Sequence, residues 1–228
     1  VIGLSPLIFW FVILMIYAAV ASVLPVNILL QPRDYLSTYI LFGSMALAVL
    51  ALLWIHPELH TPAYRGGFSE EQGPVWPMLF VLVACGAVSG FHSLVAGGTT
   101  SKQLAVESQG KSIAYGGMLT EGLVAVVTVL LVSGGLYWVA PAGGGIDMNT
   151  LGFRETLQSG GWILAYGHGF GNLVHQMLPF LSFTVASMIA VLALNTFVLT
   201  TLDSAVRITR FIVQESVGQR IVLFNNKY

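Results

Sequence analysis

Long apolar runs separated by short polar stretches organise this chain. Five runs of at least 20 residues stand out: Pro6 to Leu30, Tyr35 to Ile55, Val75 to Gly98, Ile113 to Val139 and Leu178 to Leu202. A helix rises about 1.5 Å per residue, so about 20 residues cover a hydrocarbon core of roughly 30 Å. The pattern predicts an all-α polytopic membrane protein, with five transmembrane helices in one membrane domain over residues 1–228. The links between the runs are "QPRD", residues 56–74, "TTSKQLAVESQGK" and residues 140–177. The second of these is polar and acidic and holds three prolines. The last is about twice as long and too apolar for a solvated loop, with Trp162, Ile163, Leu164, Tyr166 and Phe170 near its middle. It predicts one or two short helices dipping onto the outer face, a structured cap of the kind that long ordered loops usually form.

Composition supports the same class. The chain is 56% hydrophobic and 8% charged, where a soluble domain carries about a quarter charged residues; mean hydropathy is +0.82. A net charge of −1 gives nucleic acid nothing to bind. The single cysteine, Cys85, cannot close an internal disulfide. The first residues, "VIGLSPLIFW", carry neither an initiator Met nor a basic leader, so we expect no signal peptide and a chain cut from something longer. Charge then orients the spans. Arg33, Lys102, Lys111, Arg207, Arg210, Arg220 and Lys227 fall on one side and only Arg65 and Arg154 on the other. The positive-inside rule makes the richer side cytoplasmic, so the chain is expected to enter from outside and end inside.

Three ionisable residues fall inside or at the end of apolar runs: His92, Glu121 and Asp203. Such groups are costly in hydrocarbon and often mark substrate or proton paths. His92 lies in "ACGAVSGFHSLVAGGTTSKQ", where Gly86, Gly90, Gly97 and Gly98 weaken the helix and Ser89, Ser93, Thr99, Thr100 and Ser101 add hydroxyls. Two readings stand side by side. A helix broken at membrane depth lines a cavity and offers backbone groups to a ligand; or the glycines let a neighbouring helix pack closely while His92 makes a structural hydrogen bond. Glu121 is either a proton relay or a structural carboxylate paired with a hydroxyl. Asp203 has Arg207 four residues on, an ordinary helix-face pair, yet Thr200, Thr201 and Ser204 place three hydroxyl oxygens beside it, as a hard cation requires. The plain alternative for these hydroxyls is bonding to their own helix backbone. His56, His60, His168 and His175 lie in links without metal-site spacing, so no metal site is assigned. "AVSG" around Ser89 approaches the pattern of membrane serine proteases, with His168 or His175 as the base. Ala87 stands where that pattern needs glycine.

Four blocks, "VLPVNILLQPRDYLSTYIL", "PMLFVLVACGAVSGFHSLVAGGTTSKQLAVES", "IAYGGMLTEGLVAVVTVL" and "FVLTTLDSAVRITRFIVQE", together resemble the carbon starvation protein A family. The resemblance covers most of the chain and is weakest over 140–176. It implies a central segment of a longer bacterial inner-membrane protein that imports peptides or pyruvate when preferred carbon is exhausted. The order of parts also resembles core helices four to eight of the five-plus-five inverted-repeat transporter fold. That likeness implies an unwound helix at the substrate site, formed by Ser89, Gly90, Phe91, His92, Ser93, Gly97, Gly98 and Thr99. It further implies Thr200 and Thr201, with Ser204 beside them, as sodium ligands. Proton coupling is the other option, with Glu121 and Asp203 as relay candidates. The implied function is secondary active transport without a cofactor, driven by Na⁺ or H⁺. The implied partners are the lipid bilayer, a small-molecule substrate and flanking helices of the same polypeptide or of a partner chain. The runner-up is an intramembrane serine hydrolase using Ser89; a scaffold subunit is the third class.

Overall fold

The computed structural model describes residues 6–24, 26–64, 66–69, 73–88, 90–139 and 147–217. It is almost wholly helical. The elements are α1 (Pro6–Val23), α2 (Val26–Ile55), α3 (Val75–Val88), α4 (Gly90–Val95), α5 (Gln109–Gly135), α6 (Met148–Leu151), α7 (Phe153–Met177) and α8 (Phe183–Val217). A small antiparallel pair, β1 (Phe68–Ser69) and β2 (Gly73–Pro74), lies in the link before α3. Among the described residues, four helical stretches are long and apolar enough to cross a membrane: Pro6–Val23, Gln31–Ile55, Gln109–Gly135 and Phe183–Gln214. Their outer surfaces are crowded with exposed Leu, Ile, Val and Phe side chains, as lipid contact allows. The chain is therefore an all-α, multi-pass membrane protein.

The first link is not where the apolar pattern puts it. α1 ends at Val23 rather than Leu30, and "QPRD" lies inside α2. The cause is local. Leu24 precedes Pro25, and the residue before a proline is driven out of the helical region. Pro32 does not end α2, although it removes one rung of its ladder. Arg33 is therefore a residue of helix α2, near the start of its apolar stretch Gln31–Ile55, and not of a link between helices.

Contacts divide the chain into two compact units. One gathers the residues up to Leu36, Leu79–Glu107 and those from Phe197 onward; the other gathers Ser37–Met78 and Ser108–Thr196. The core of the second unit is built on α7. Phe170, Leu173 and Val174 pack with Leu131 and Val127 of α5, Ala48 and Ala51 of α2, and Ala186 and Ala190 of α8. Residues 140–177 were expected to hold one or two short helices; α6 is followed by α7, whose two helical stretches together run for 25 residues and are buried from Ala165 to Val174 apart from the half-buried His168. It is divided by a bend at Gly161, whose φ of 68° suits glycine. α5 and α7 touch backbone to backbone, because Gly135 and Gly169 face one another. Asn172 reinforces the contact by donating to the Gly135 carbonyl at 2.8 Å.

This close approach gives a first expected outcome. A methyl group added at Gly169 would stand 2.8 Å from the Leu131 carbonyl oxygen. Gly169→Ala should therefore destabilise the fold by about 1–3 kcal/mol. Gly97→Ala, with nothing within 4 Å, should leave the melting temperature unchanged or raise it. Thermal unfolding of the two purified variants checks both.

Candidate functional site

The first unit holds a buried charge cluster assembled from three helices. Tyr17 of α1, Arg33 of α2 and Asp203 of α8 converge. The Tyr17 hydroxyl donates to Asp203 Oδ2 at 2.9 Å. Arg33 Nη1 donates to the Tyr17 oxygen at 2.6 Å and to Asp203 Oδ2. Asp203 is fully buried, and the Arg33 side chain keeps 17% exposure. Tyr17 lies six residues before the end of α1 and Arg33 seven after the start of α2. The cluster thus sits roughly 10 Å inward from the end that these two helices share. A buried carboxylate persists only when it is paired and hydrogen-bonded.

Asp203 does not pair with Arg207, contrary to the simple helix-face reading. Arg207 Nη2 instead donates to the carbonyls of Ala21 at 3.1 Å and Leu24 at 2.5 Å. Arg210 Nη1 donates to the Ser22 carbonyl at 2.6 Å. These oxygens lie in the last turn of α1 or just beyond it, where carbonyls lack helical partners and the helix dipole favours cations. Sequence reasoning missed Tyr17, Arg33, Arg207 and Arg210 as members of one constellation. The available signal was the spacing of 203, 207 and 210, which puts one carboxylate and two guanidiniums on a single face of α8.

The glycine-rich segment differs in detail from an unwound helix. On both sides of residue 89 the chain is helical; α4 then passes into a π-helical turn at Ala96–Thr100 and a 3₁₀ turn at Ser101–Gln103. Such π turns are frequent at functional sites. His92 and Ser93 are exposed, as is Gly97, while Gly98 is half-buried. Among the described residues, a Cβ at Gly98 would meet Ile208 at an ordinary 3.6 Å, and one at Gly97 would meet nothing within 4 Å. The Ser101 hydroxyl bonds the Gly97 carbonyl at 2.8 Å. Lys102 lies 5.5 Å from the Phe211 ring centre, so the end of this segment runs beside α8. Ser89 and the side chains of Phe91 and Thr99 lie outside the described residues; Gly90 opens α4.

Of the hydroxyls near Asp203, Thr201 donates to the Phe197 carbonyl at 3.4 Å and is exposed, and Thr200 and Ser204 are half-buried. Glu121 is exposed halfway along α5. His168 and His175 hold backbone carbonyls through Nδ1, those of Thr150 at 2.6 Å and Leu181 at 2.7 Å. Both rings tie helix ends together, and neither observation points to a base beside a serine nucleophile.

The family profile "Carbon starvation protein CstA" matches residues 4–143. The chain belongs to the CstA family. The match takes in Tyr17, Arg33, the 84–103 segment and Glu121, and it stops before α7 and α8. Among relatives, the chain is 34% identical over 242 residues to "Peptide transporter CstA" of Escherichia coli (strain K12), covering 89% of this chain and 34% of that protein. It is 31% identical over 261 residues to "Pyruvate/proton symporter BtsT" of the same strain, covering 90% of this chain and 36% of that protein. It is 34% identical over 244 residues to "Peptide transporter CstA" of Mycobacterium tuberculosis (strain ATCC 25618 / H37Rv), covering 90% and 32%. The chain thus spans about a third of the length of these CstA-family relatives. No solved structure matches it.

Proposed function

We propose that this chain is the central part of a secondary active transporter that carries a small peptide or a pyruvate-like carboxylate across the bacterial cytoplasmic membrane, driven by H⁺ or Na⁺. One observation carries the reading: relatives named as a peptide transporter and a pyruvate/proton symporter match along nine-tenths of the chain. The buried cluster of Arg33, Asp203 and Tyr17 agrees with it, because ionisable groups within membrane helices are retained where they serve a path or a coupling step. In this reading α3, α4 and the π turn together make a fifth crossing, and the five crossings correspond to core helices four to eight of an inverted-repeat transporter. The segment from Ser89 through Gly90, Phe91, His92 and Ser93 to Gly97, Gly98 and Thr99 lines the substrate path. Asp203 and Glu121 are the proton-relay candidates, and Thr200, Thr201 and Ser204 the sodium candidates. Further helices, of the same polypeptide or a partner chain, cover the exposed Glu121.

Gradient-driven uptake of labelled dialanine and labelled pyruvate by the complete protein in proteoliposomes tests this function. Absence of uptake of both, with protein correctly inserted, would count against it; labelling of Ser89 by a fluorophosphonate would favour a hydrolase. The coupling ion has its own test. If Thr200 and Thr201 hold Na⁺, replacing both by Ala should raise the Na⁺ concentration for half-maximal uptake by about tenfold, equivalent to roughly 1.4 kcal/mol. Normal Na⁺-independent uptake by that variant would leave helix back-bonding as their role, with a proton as the coupling ion.

A further inference from the structure

The end of α1 meets α8 at the depth where lipid headgroups begin. α1 has 18 residues, a length of about 27 Å, so its last turn lies at the edge of a hydrocarbon core roughly 30 Å thick. Arg210 is anchored at that level, with Nη1 donating to the Ser22 carbonyl at 2.6 Å. Phe211 follows it, near Gln214, where the apolar stretch of α8 ends. The Arg210 guanidinium carbon lies 5.6 Å from the centre of the Phe211 ring. Lys102 reaches the same ring from a distant part of the chain, with Nζ 5.5 Å from its centre. Both distances fall within the range in which an aromatic face attracts a cation, so Phe211 gathers the two side chains. Neither has a carboxylate within 4.0 Å among the described residues, where the ion pairs join Arg33 to Asp34 and to Asp203. Arg207, one turn before Phe211, adds a third positive charge that is committed to the Ala21 and Leu24 carbonyls. Like charges gathered in this way repel one another, and an anion from outside the chain relieves the repulsion.

We propose that Lys102 and Arg210, gathered around Phe211, bind the phosphate of an anionic phospholipid. Access supports this: Lys102 is exposed and Arg210 half-buried, and the four-carbon stem of a lysine lets its ammonium follow a headgroup. Position selects a lipid over a soluble phosphate. The cations stand at the edge of the hydrocarbon core, and apolar side chains beside them, Val23 at the end of α1 and Ile212 next to Phe211, are exposed for acyl chains to cover. Basic groups between helices at this depth are suited to lipid phosphates. A bound headgroup would also tie the 3₁₀ turn that carries Lys102 to α8, and so brace the end of the glycine-rich segment. The inference needs only that the chain lies in a bilayer; it does not depend on what is transported.

The test is native mass spectrometry of the complete purified protein in a neutral detergent. It is titrated with phosphatidylglycerol and, in parallel, with phosphatidylcholine of the same acyl chains. Phosphatidylglycerol should bind about tenfold more tightly or better, as two basic side chains at one phosphate allow. Lys102→Gln should weaken phosphatidylglycerol binding by about fivefold, the usual share of one basic residue at an anionic membrane surface. Its melting temperature without lipid should not change, because Lys102 is exposed. Lys111→Gln, which removes another exposed lysine at the start of α5, should leave binding as it was. Equal binding of the two lipids by the wild-type protein overturns the proposal without any variant. Equal weakening by Lys102→Gln and Lys111→Gln overturns it too, since diffuse surface charge then accounts for the preference. Displacement of bound phosphatidylglycerol by low millimolar inorganic phosphate would make a soluble anion the ligand and overturn the assignment to a lipid. None of these readings involves uptake, so the outcome stands whether or not the transport function does.

Discussion

Replacing Asp203 by Ala should destabilise the protein by about 3–5 kcal/mol, the usual cost of removing one partner of a buried ion pair. Arg33 would then keep its charge in a largely buried setting, with the Tyr17 oxygen as acceptor and the Asp34 carboxylate 4.0 Å away. The charge itself, rather than lost contacts, dominates the penalty, and this makes the expectation specific. Asp203→Asn removes the charge but retains an oxygen acceptor for Tyr17, and still strands the guanidinium, so it should be destabilising but less so than Asp203→Ala. The double variant Arg33→Met with Asp203→Leu removes both charges and should recover most of the loss, because apolar replacements of buried pairs are often neutral or better. Thermal or denaturant unfolding of the four proteins in one detergent decides the matter. A single variant as stable as the wild type, or a double variant as damaged as the single, would show that the pair is not buried as described.

Arg207→Ala should be the next most damaging change, with a loss of about 3 kcal/mol, since hydrogen bonds to charged groups contribute roughly 1.5–3 kcal/mol each. Two α1 carbonyls, Ala21 and Leu24, lose their donor at once. Their own helix cannot supply another, because they lie in or just beyond its last turn. Arg207→Lys should fall between, as a lysine retains the favourable charge at the helix end while losing the planar fork. Unfolding measurements on the pair of variants provide the check. A loss below about 0.5 kcal/mol for Arg207→Ala is typical of an exposed i,i+4 ion pair, and would restore the reading in which Arg207 merely faces Asp203.

Much of the architecture was legible before any coordinates. Apolar runs of sufficient length become helices in a bilayer because unpaired backbone groups have no water to meet; α1, α2, α5 and α8 follow from that rule, but α2 begins at Val26 rather than Tyr35 and α8 runs on to Val217 rather than ending at Leu202. The CstA-family resemblance was legible as well, in blocks that run across Arg33, His92, Glu121 and Asp203. What the sequence did not show was how far the basic residues are covered by neighbouring helices: Arg33 and Arg207 are largely buried and Arg210 half-buried. Among the described residues, Gly97 and Gly98 have room around them, and two glycines on which helices meet are Gly135 and Gly169, which the sequence did not single out.

By itself the sequence determined the class of solvent, the helical character and the family, because these depend on local composition and on the length of each run; of the five runs it offered as spans, four are long apolar helices among the described residues. The tertiary structure alone decided which charges meet. Tyr17, Arg33 and Asp203 are separated by up to 186 residues, so no periodicity along one helix relates them. Their pairing depends on where α1 turns into α2 and on which face α8 presents to that hairpin. A buried carboxylate takes whichever cation the packing brings within hydrogen-bonding distance, and here that was Arg33 of another helix rather than Arg207, one turn further along its own.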